Sequence, residues 1–398
     1  MIKLLEQSEI LKSRVDINFK RYLFDEINRD ARLIGIKGAR GTGKTTLLLQ
    51  MLKELSLDET KAVYFSLDDI YFLEHSVSET IRKFYKNGGK YVFLDEVHKY
   101  PNWSREIKNI YDQIEDIKIV FTGSSVIDIS KQEGDLSRRV LMYELFGLSF
   151  REFLKFNNNL DFSSLTLEDL TGINRKNIKE RFPNDFRPYE YFKNYLKYGY
   201  YPFYKEDING YYRRIKQVVR LIVEYDMAEL KGFDIRNAKK MLQLLQIISQ
   251  QVPFKPNIVN LAQKSSIHRN SILNYLHFLD QAGIIKLLYP SGISIAKLQK
   301  PEKIYLDNTN LIYALSDRNQ STGTIRETFF YNQVKVKYNV SEPKKGDFEV
   351  DERFTFEVGG KNKTARQIND LNNAYVVKDE LEYPIGNALP VWMFGFLY

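Results

Sequence analysis

The octapeptide Gly38-Ala39-Arg40-Gly41-Thr42-Gly43-Lys44-Thr45 places glycines, one lysine and one hydroxyl at the spacing G-x-x-x-x-G-K-[ST]. A loop of this kind binds phosphate. Glycines let the chain wrap until successive N–H groups point inward at phosphate oxygens, and the helix that follows adds the positive end of its dipole. Lys44 is expected to reach the β and γ phosphates and the Thr45 hydroxyl to ligate Mg2+, with Thr46 completing the nucleotide-binding stretch. A second segment, Tyr91-Val92-Phe93-Leu94-Asp95-Glu96, ends an apolar run on two acids. A parallel strand buried on both faces reads this way where its C-terminal end opens into a site. Asp95 would hold Mg2+ through water, and Glu96 would polarise the attacking water. Paired acids after a strand also occur in plain solvated loops; the phosphate loop is what favours chemistry.

These groups need a sheet to hold them. Leu33-Ile34-Gly35-Ile36 reads as the strand entering the loop, and 46–55 as the helix leaving it. Further strands are expected at 62–66, 117–121 and 140–146. Strands alternating with helical spacers predict a parallel sheet with right-handed crossovers, an α/β P-loop NTPase fold. The strand at 117–121 leads into Thr122-Gly123-Ser124-Ser125, where Ser124 suits either a sensor of the γ-phosphate or the cap of the next helix. Arg138 and Arg139 follow. A guanidinium there would stabilise phosphoryl transfer, or be surface charge.

The phosphate loop, Phe93-Leu94-Asp95-Glu96-Val97-His98 with Pro101-Asn102-Trp103, Phe121-Thr122-Gly123-Ser124-Ser125, and Leu136-Ser137-Arg138-Arg139 with Leu148-Ser149-Phe150-Arg151-Glu152-Phe153 together resemble prokaryotic AAA-type ATPases. The group is similar to the archaeal ATPase family and carries a C-terminal domain of unknown function. The resemblance implies ATP with Mg2+ as cofactors. It favours Arg139 as the catalytic arginine alongside Lys44 and Glu96, although Arg138 stands where the family has a small residue. No guanine-reading N-K-x-D motif is present, and the choice of adenine comes from the resemblance.

With 398 residues, the chain exceeds one ordinary core. Expected domains are a P-loop ATPase at 1–155, a helical lid or linker at 156–235, a winged helix at 236–298 and a small α/β restriction-endonuclease-like domain at 299–398. The absence of cysteine excludes disulfides and thiolate metal sites and fits a reducing, cytoplasmic setting. No apolar run approaches membrane-spanning length. A formal charge of +8 favours acidic partners, DNA among them, but the positive residues are spread along the chain. The densest clusters, 175–181 and 213–216, read as solvated faces.

Residues 258–289 read as two helices, a turn at 265–268 and an apolar wing. Arg269, Asn270, Ser271 and Asn274 would face a major groove if this module reads DNA. One arginine on the candidate recognition helix suits weak DNA contact at most, or packing between domains. Tyr200 and Tyr201, in a Gly-Pro element that the resembled family also carries, are expected to pack. Towards the C-terminus, Glu327 on a helix, Asp347 and Glu357 on strands, and Lys361 nearby are ordered like the restriction-endonuclease core. Two carboxylates there hold a divalent ion while a lysine stabilises charge at the scissile phosphate. The expected lysine position holds Gly359, and Lys361 comes two residues later, a shift of about 7 Å along a strand and too far unless Gly359-Gly360 forms a bulge or turn. A degenerate nuclease fold is therefore expected, with Gln367 a polar contact.

The leading expectation is a regulatory ATPase acting on its own later domains, on a protein client or within an oligomer. Its rivals are an ATP-regulated nuclease and a DNA-binding regulator with ATP as ligand.

Overall fold

The computed structural model describes residues 1–124, 136, 138–227, 235–292, 300–316 and 321–398. Ser125 and Ser137 lie outside the described residues. The chain divides into two compact units, Met1–Gly147 and Leu148–Tyr398.

The first unit is built on strands β1 (Leu33–Gly38), β2 (Ala62–Ser66), β3 (Tyr91–Asp95), β4 (Lys118–Ser124) and β5 (Leu141–Glu144). Their order across the sheet is β2-β3-β4-β1-β5, and every pairing is parallel. The five strands expected from the sequence are thus the five of the sheet. Alternate strand residues feed opposite layers, because successive side chains leave opposite faces. On one face Ile34, Ile36, Tyr64, Phe93 and Val120 pack with Leu47, Leu48, Met51 and Leu52 of helix α2 (Lys44–Glu54); helix α1 (Ile2–Arg14) precedes the sheet. On the other, Leu33, Val63, Phe65, Leu94, Ile119 and Phe121 meet Ile81 and Phe84 of α3 (Val77–Lys86) and Ile107 and Ile110 of α4 (Trp103–Gln113). Each such side chain contributes about 1.5–3 kcal/mol of transfer free energy, which is why β3 tolerates no polar residue before Asp95.

The second unit opens on the 148–153 segment, which the sequence grouped with the ATPase motifs. Ser149 caps α5 (Phe150–Asn158) in a reciprocal box with Glu152. The Ser149 hydroxyl and Arg151 Nε also donate to the Tyr398 carbonyl at 3.0 and 2.9 Å. Phe150 stacks edgewise on Phe192 of α6 (Pro188–Tyr198), on Trp392 and on Phe396, so 148–153 is core to this unit. Tyr200 and Tyr201 are buried, as expected of packing residues, and Tyr200 N donates to Asn310 Oδ1 at 2.9 Å.

Helix α7 (Tyr211–Leu221) leads to α8 (Ala238–Ser249), α9 (Ile258–Ser265) and α10 (Arg269–Gln281). Strand β6 (Ile285–Leu288) then pairs antiparallel with β7 (Lys303–Leu306), and Phe254 bridges Ile304. The sequence placed 303–307 in the C-terminal domain, but its backbone hydrogen bonds go to β6. Helix α11 (Thr309–Leu315) precedes α12 (Thr322–Val334), which is buried from Thr328 to Val334, the polar Asn332 and Gln333 included. A mixed sheet follows, ordered β12-β11-β10-β9-β8, from β8 (Val340–Ser341), β9 (Phe348–Val350), β10 (Phe354–Gly359), β11 (Ala374–Lys378) and β12 (Ala388–Pro390). Pairs β10–β11 and β11–β12 are parallel; β9 is antiparallel to β10. Among the described residues no helix is long and apolar enough to cross a membrane.

Candidate nucleotide site

Residues 38–45 join β1 to α2 at the C-terminal end of the sheet. Gly41 and Gly43 have φ of 82° and 96°, the left-handed region that side chains disfavour. Gly38 is required for a different reason: a Cβ there would lie 2.4 Å from the Leu145 carbonyl oxygen. Lys44 is buried, and its ammonium donates to the carbonyls of Gly38 at 2.8 Å and Ala39 at 3.1 Å. The ammonium therefore already sits over the mouth of the loop.

Asp95, at the end of β3, is 2% exposed and accepts from four donors. Thr45 Oγ1 and the Tyr64 hydroxyl reach its Oδ2 at 2.7 and 2.8 Å. The Thr122 hydroxyl and the Glu96 N–H, the latter at 3.2 Å, reach Oδ1. Four donors on its two oxygens fix the carboxylate in place. Burial first, then the Asp95 charge, holds the Tyr64 hydroxyl far above the ordinary phenol range, so Tyr64 remains a donor. Thr45 and Asp95 together present hard oxygen donors next to Lys44, a set that fits Mg2+.

Glu96 adopts a left-handed backbone, φ 54° and ψ 43°, which turns it out of the strand line. Its Oε2 lies 3.3 Å from Nε2 of the buried His98. Ser124 is buried at the end of β4 and pairs in register with Gly38, beside the start of the loop. Ala39, Arg40 and Thr46 follow the loop backbone into α2.

The structure does not bring Arg139 to the phosphate loop of its own chain. Strand β5 enters the sheet with Leu141 opposite Ile34, so Arg139 stands level with Arg32, at the end opposite Gly38. That separation spans about six strand residues, or roughly 20 Å, more than a side chain can cross. Arg139 instead forks onto Asp112 of α4, Nε to Oδ1 at 2.7 Å and Nη2 to Oδ2 at 3.1 Å.

The second unit holds a separate polar cluster. Glu327 on α12 accepts from the Tyr305 hydroxyl at 3.0 Å, and burial, then the Asp347 charge, raises its carboxyl above the usual range. Asp347 Oδ2 accepts from Val358 N at 2.8 Å. Glu357, on β10, is fully buried, and the lysine bonded to it is Lys363, Nζ to Oε1 at 2.5 Å. Lys361 points elsewhere: it is 71% exposed, 3.7 Å from Glu380. The reason lies in Gly359, where a Cβ would come within 2.6 Å of three Lys363 stem carbons. The chain turns back after β10, and the Lys363 stem lies in the space that a side chain at 359 would fill. Burial opposes the Lys363 charge, but the bond to Glu357 and the charges of Glu357, Asp347 and Glu327 outweigh it and raise its pKa. With its amide nitrogen turned inward, Gln367 donates to both Glu357 oxygens at 3.0 and 3.3 Å. Among the described residues no three acidic or imidazole groups converge as a ready metal cage.

On α10, Arg269, Asn270 and Asn274 are exposed and Ser271 is half-buried. Three residues at the two sites were not singled out from the sequence: Tyr64, His98 and Lys363.

Residues 30–154 match the family model of an AAA domain. This AAA match contains both the phosphate loop and the paired acids. Residues 189–322 match a domain of unknown function (DUF8612). Two proteins of Methanocaldococcus jannaschii resemble the chain over nearly its whole length. Uncharacterized protein MJ1637 is 28% identical, covering 98% of this chain and 88% of its own. Uncharacterized protein MJ1544 is 26% identical, with 95% and 87% covered. Among solved structures, the replication initiator DnaA bound to AMPPCP and single-stranded DNA is 15% identical. That alignment covers 68% of this chain and 91% of that one, and its TM-score of 0.31 is too low to say anything of ligands here.

Proposed function

We propose that this chain is an ATP-hydrolysing regulatory ATPase whose nucleotide state controls the parts that follow its AAA domain. The observation that carries this reading is the Thr45–Asp95 contact of 2.7 Å beside the buried ammonium of Lys44, in a loop with phosphate-binding spacing. Thr45 and, through water, Asp95 would hold Mg2+, which neutralises phosphate charge. Lys44 would leave the Gly38 and Ala39 carbonyls for the β and γ oxygens. Glu96 would take a proton from the water that attacks the γ-phosphorus as the bond to the β,γ-bridging oxygen breaks. Ser124, in register with Gly38, would report on the γ-phosphate. The parts controlled are the 236–298 segment, read as a winged helix, and the nuclease-like 299–398 segment. The exposed polar face of α10 carries one arginine, which suits a packing role or weak DNA contact.

Arg139 then acts on the nucleotide of a neighbouring copy. Arg139→Ala and Lys44→Ala, each inactive alone, are expected to regain phosphate release when mixed, because the second variant supplies the arginine that the first lacks. Mixed oligomers that stay inactive would remove Arg139 from the catalytic set.

A second reading, an ATP-regulated nuclease, is favoured by Lys363. The missing lysine was the main objection to it, and Lys363, bonded to Glu357 at 2.5 Å, would serve in its stead under this reading. Under the leading reading, plasmid and single-stranded DNA remain intact with Mg2+ or Mn2+, with or without ATP. Cleavage lost in Glu357→Ala and Lys363→Met but kept in Lys361→Met would put the nuclease first.

A further inference from the structure

Arg21 precedes β1 and is 5% exposed, yet its guanidinium donates to three backbone carbonyls. Nη1 reaches the Thr42 carbonyl at 2.5 Å, inside the phosphate loop. Nη2 reaches the Phe146 and Gly147 carbonyls at 2.8 and 2.9 Å. Gly147 is the last residue of the first unit, so one planar fork joins the loop to the point where the chain leaves the sheet. Two other contacts hold the same stretch: the Tyr22 hydroxyl donates to the Glu144 carbonyl at 3.0 Å, and Gly38 packs directly against Leu145.

A trans peptide is planar, with its C=O and the following N–H pointing in opposite directions. Holding the Thr42 carbonyl outward therefore aims the Gly43 N–H inward, where the loop binds phosphate. Gly43, at φ 96°, has no side chain to keep that peptide from flipping. Arg21 supplies the missing constraint.

We propose that Arg21 is a positioning residue that presets the Thr42–Gly43 amide for the phosphates and links its seating to Phe146–Gly147, the exit towards the second unit. The inference rests on the nucleotide-binding reading above. The test uses the full chain with a fluorescent ATP analogue for affinity, and amide hydrogen exchange over 144–150 with and without saturating Mg·ATP. Arg21→Ala is expected to bind about tenfold or more weakly, the size of a lost charge-assisted hydrogen bond. Once saturated, it should also lack the ATP-dependent slowing of exchange over 144–150 that is expected of the parent. Arg21→Lys keeps one charged donor and should fall between, which covers the case of an alanine variant that does not fold. Tyr22→Phe loosens the exit strand without touching Thr42 and should bind as the parent does. Parental affinity in Arg21→Ala, intact ATP-dependent protection in that variant, or an equal loss in Tyr22→Phe would each overturn the proposal. A parent that binds no ATP would instead defeat the nucleotide reading, and the affinity measurement shows which has failed.

Discussion

Lys44→Ala is expected to abolish Mg·ATP binding at micromolar nucleotide while leaving the fold intact. In the proposed function the ammonium is the cation that the loop would aim at the phosphates, and each charge-assisted hydrogen bond made there would be worth about 1.5–3 kcal/mol. Two such bonds amount to a loss of roughly two to four orders of magnitude in affinity, by the same scale. The unliganded fold should suffer less. The Ala39 carbonyl also accepts from Thr42 Oγ1 at 2.9 Å, so the loop keeps internal support without the lysine. Isothermal titration beside a thermal melt separates the two effects. A variant that melts with the parent and still binds ATP within tenfold would show that the loop does not use Lys44 as assigned.

Glu96→Gln should do the reverse, binding ATP normally and turning it over about 10²–10⁴ times more slowly, the usual span of a lost general base. Glutamine preserves the size of the side chain and its approach to His98, so the 3.3 Å contact and the left-handed turn are not at risk. Only proton acceptance is removed. Single-turnover phosphate formation, quenched in acid, is the measurement, since it is blind to product dissociation. Parental rates would move the water-activating role away from Glu96, and a parallel loss of binding would mean that the carboxylate serves the nucleotide instead.

The sequence displayed the parts of the site that are contiguous along the chain. The phosphate loop and the 91–96 strand state their geometry locally, through glycine placement and an unbroken apolar run that ends in acids. Contacts made by sheet order were invisible. Tyr64 meets Asp95 only because β2 lies beside β3, and Arg21 meets Thr42, Phe146 and Gly147 only after the sheet has closed around β1. Arg139 shows the limit from another side. Its position before β5 was visible, but which end of the sheet it occupies depends on the register of Leu141 against Ile34. In the second unit, counting residues along β10 suggested a lysine out of reach. A turn at Gly359-Gly360 is the exception to that count; the backbone does reverse there, but it returns Lys363 and not Lys361 to Glu357. The 303–307 segment was legible as a strand, but its antiparallel partner β6 was not, since pairing is fixed by the folded sheet and not by distance along the sequence.

The place of β1 in its sheet also bears on how the protein is made. Leu33 pairs with Ile119 and Ile34 with Leu141, so the strand that carries the phosphate loop finds both of its neighbours far downstream. Such long loops close slowly, and domains emerge from the ribosome N-terminal end first. During synthesis β1 must wait, its backbone unpaired on both edges, until β4 and then β5 have been translated. The nucleotide pocket is therefore among the last features of the first unit to form, although its defining residues are among the first to be synthesised.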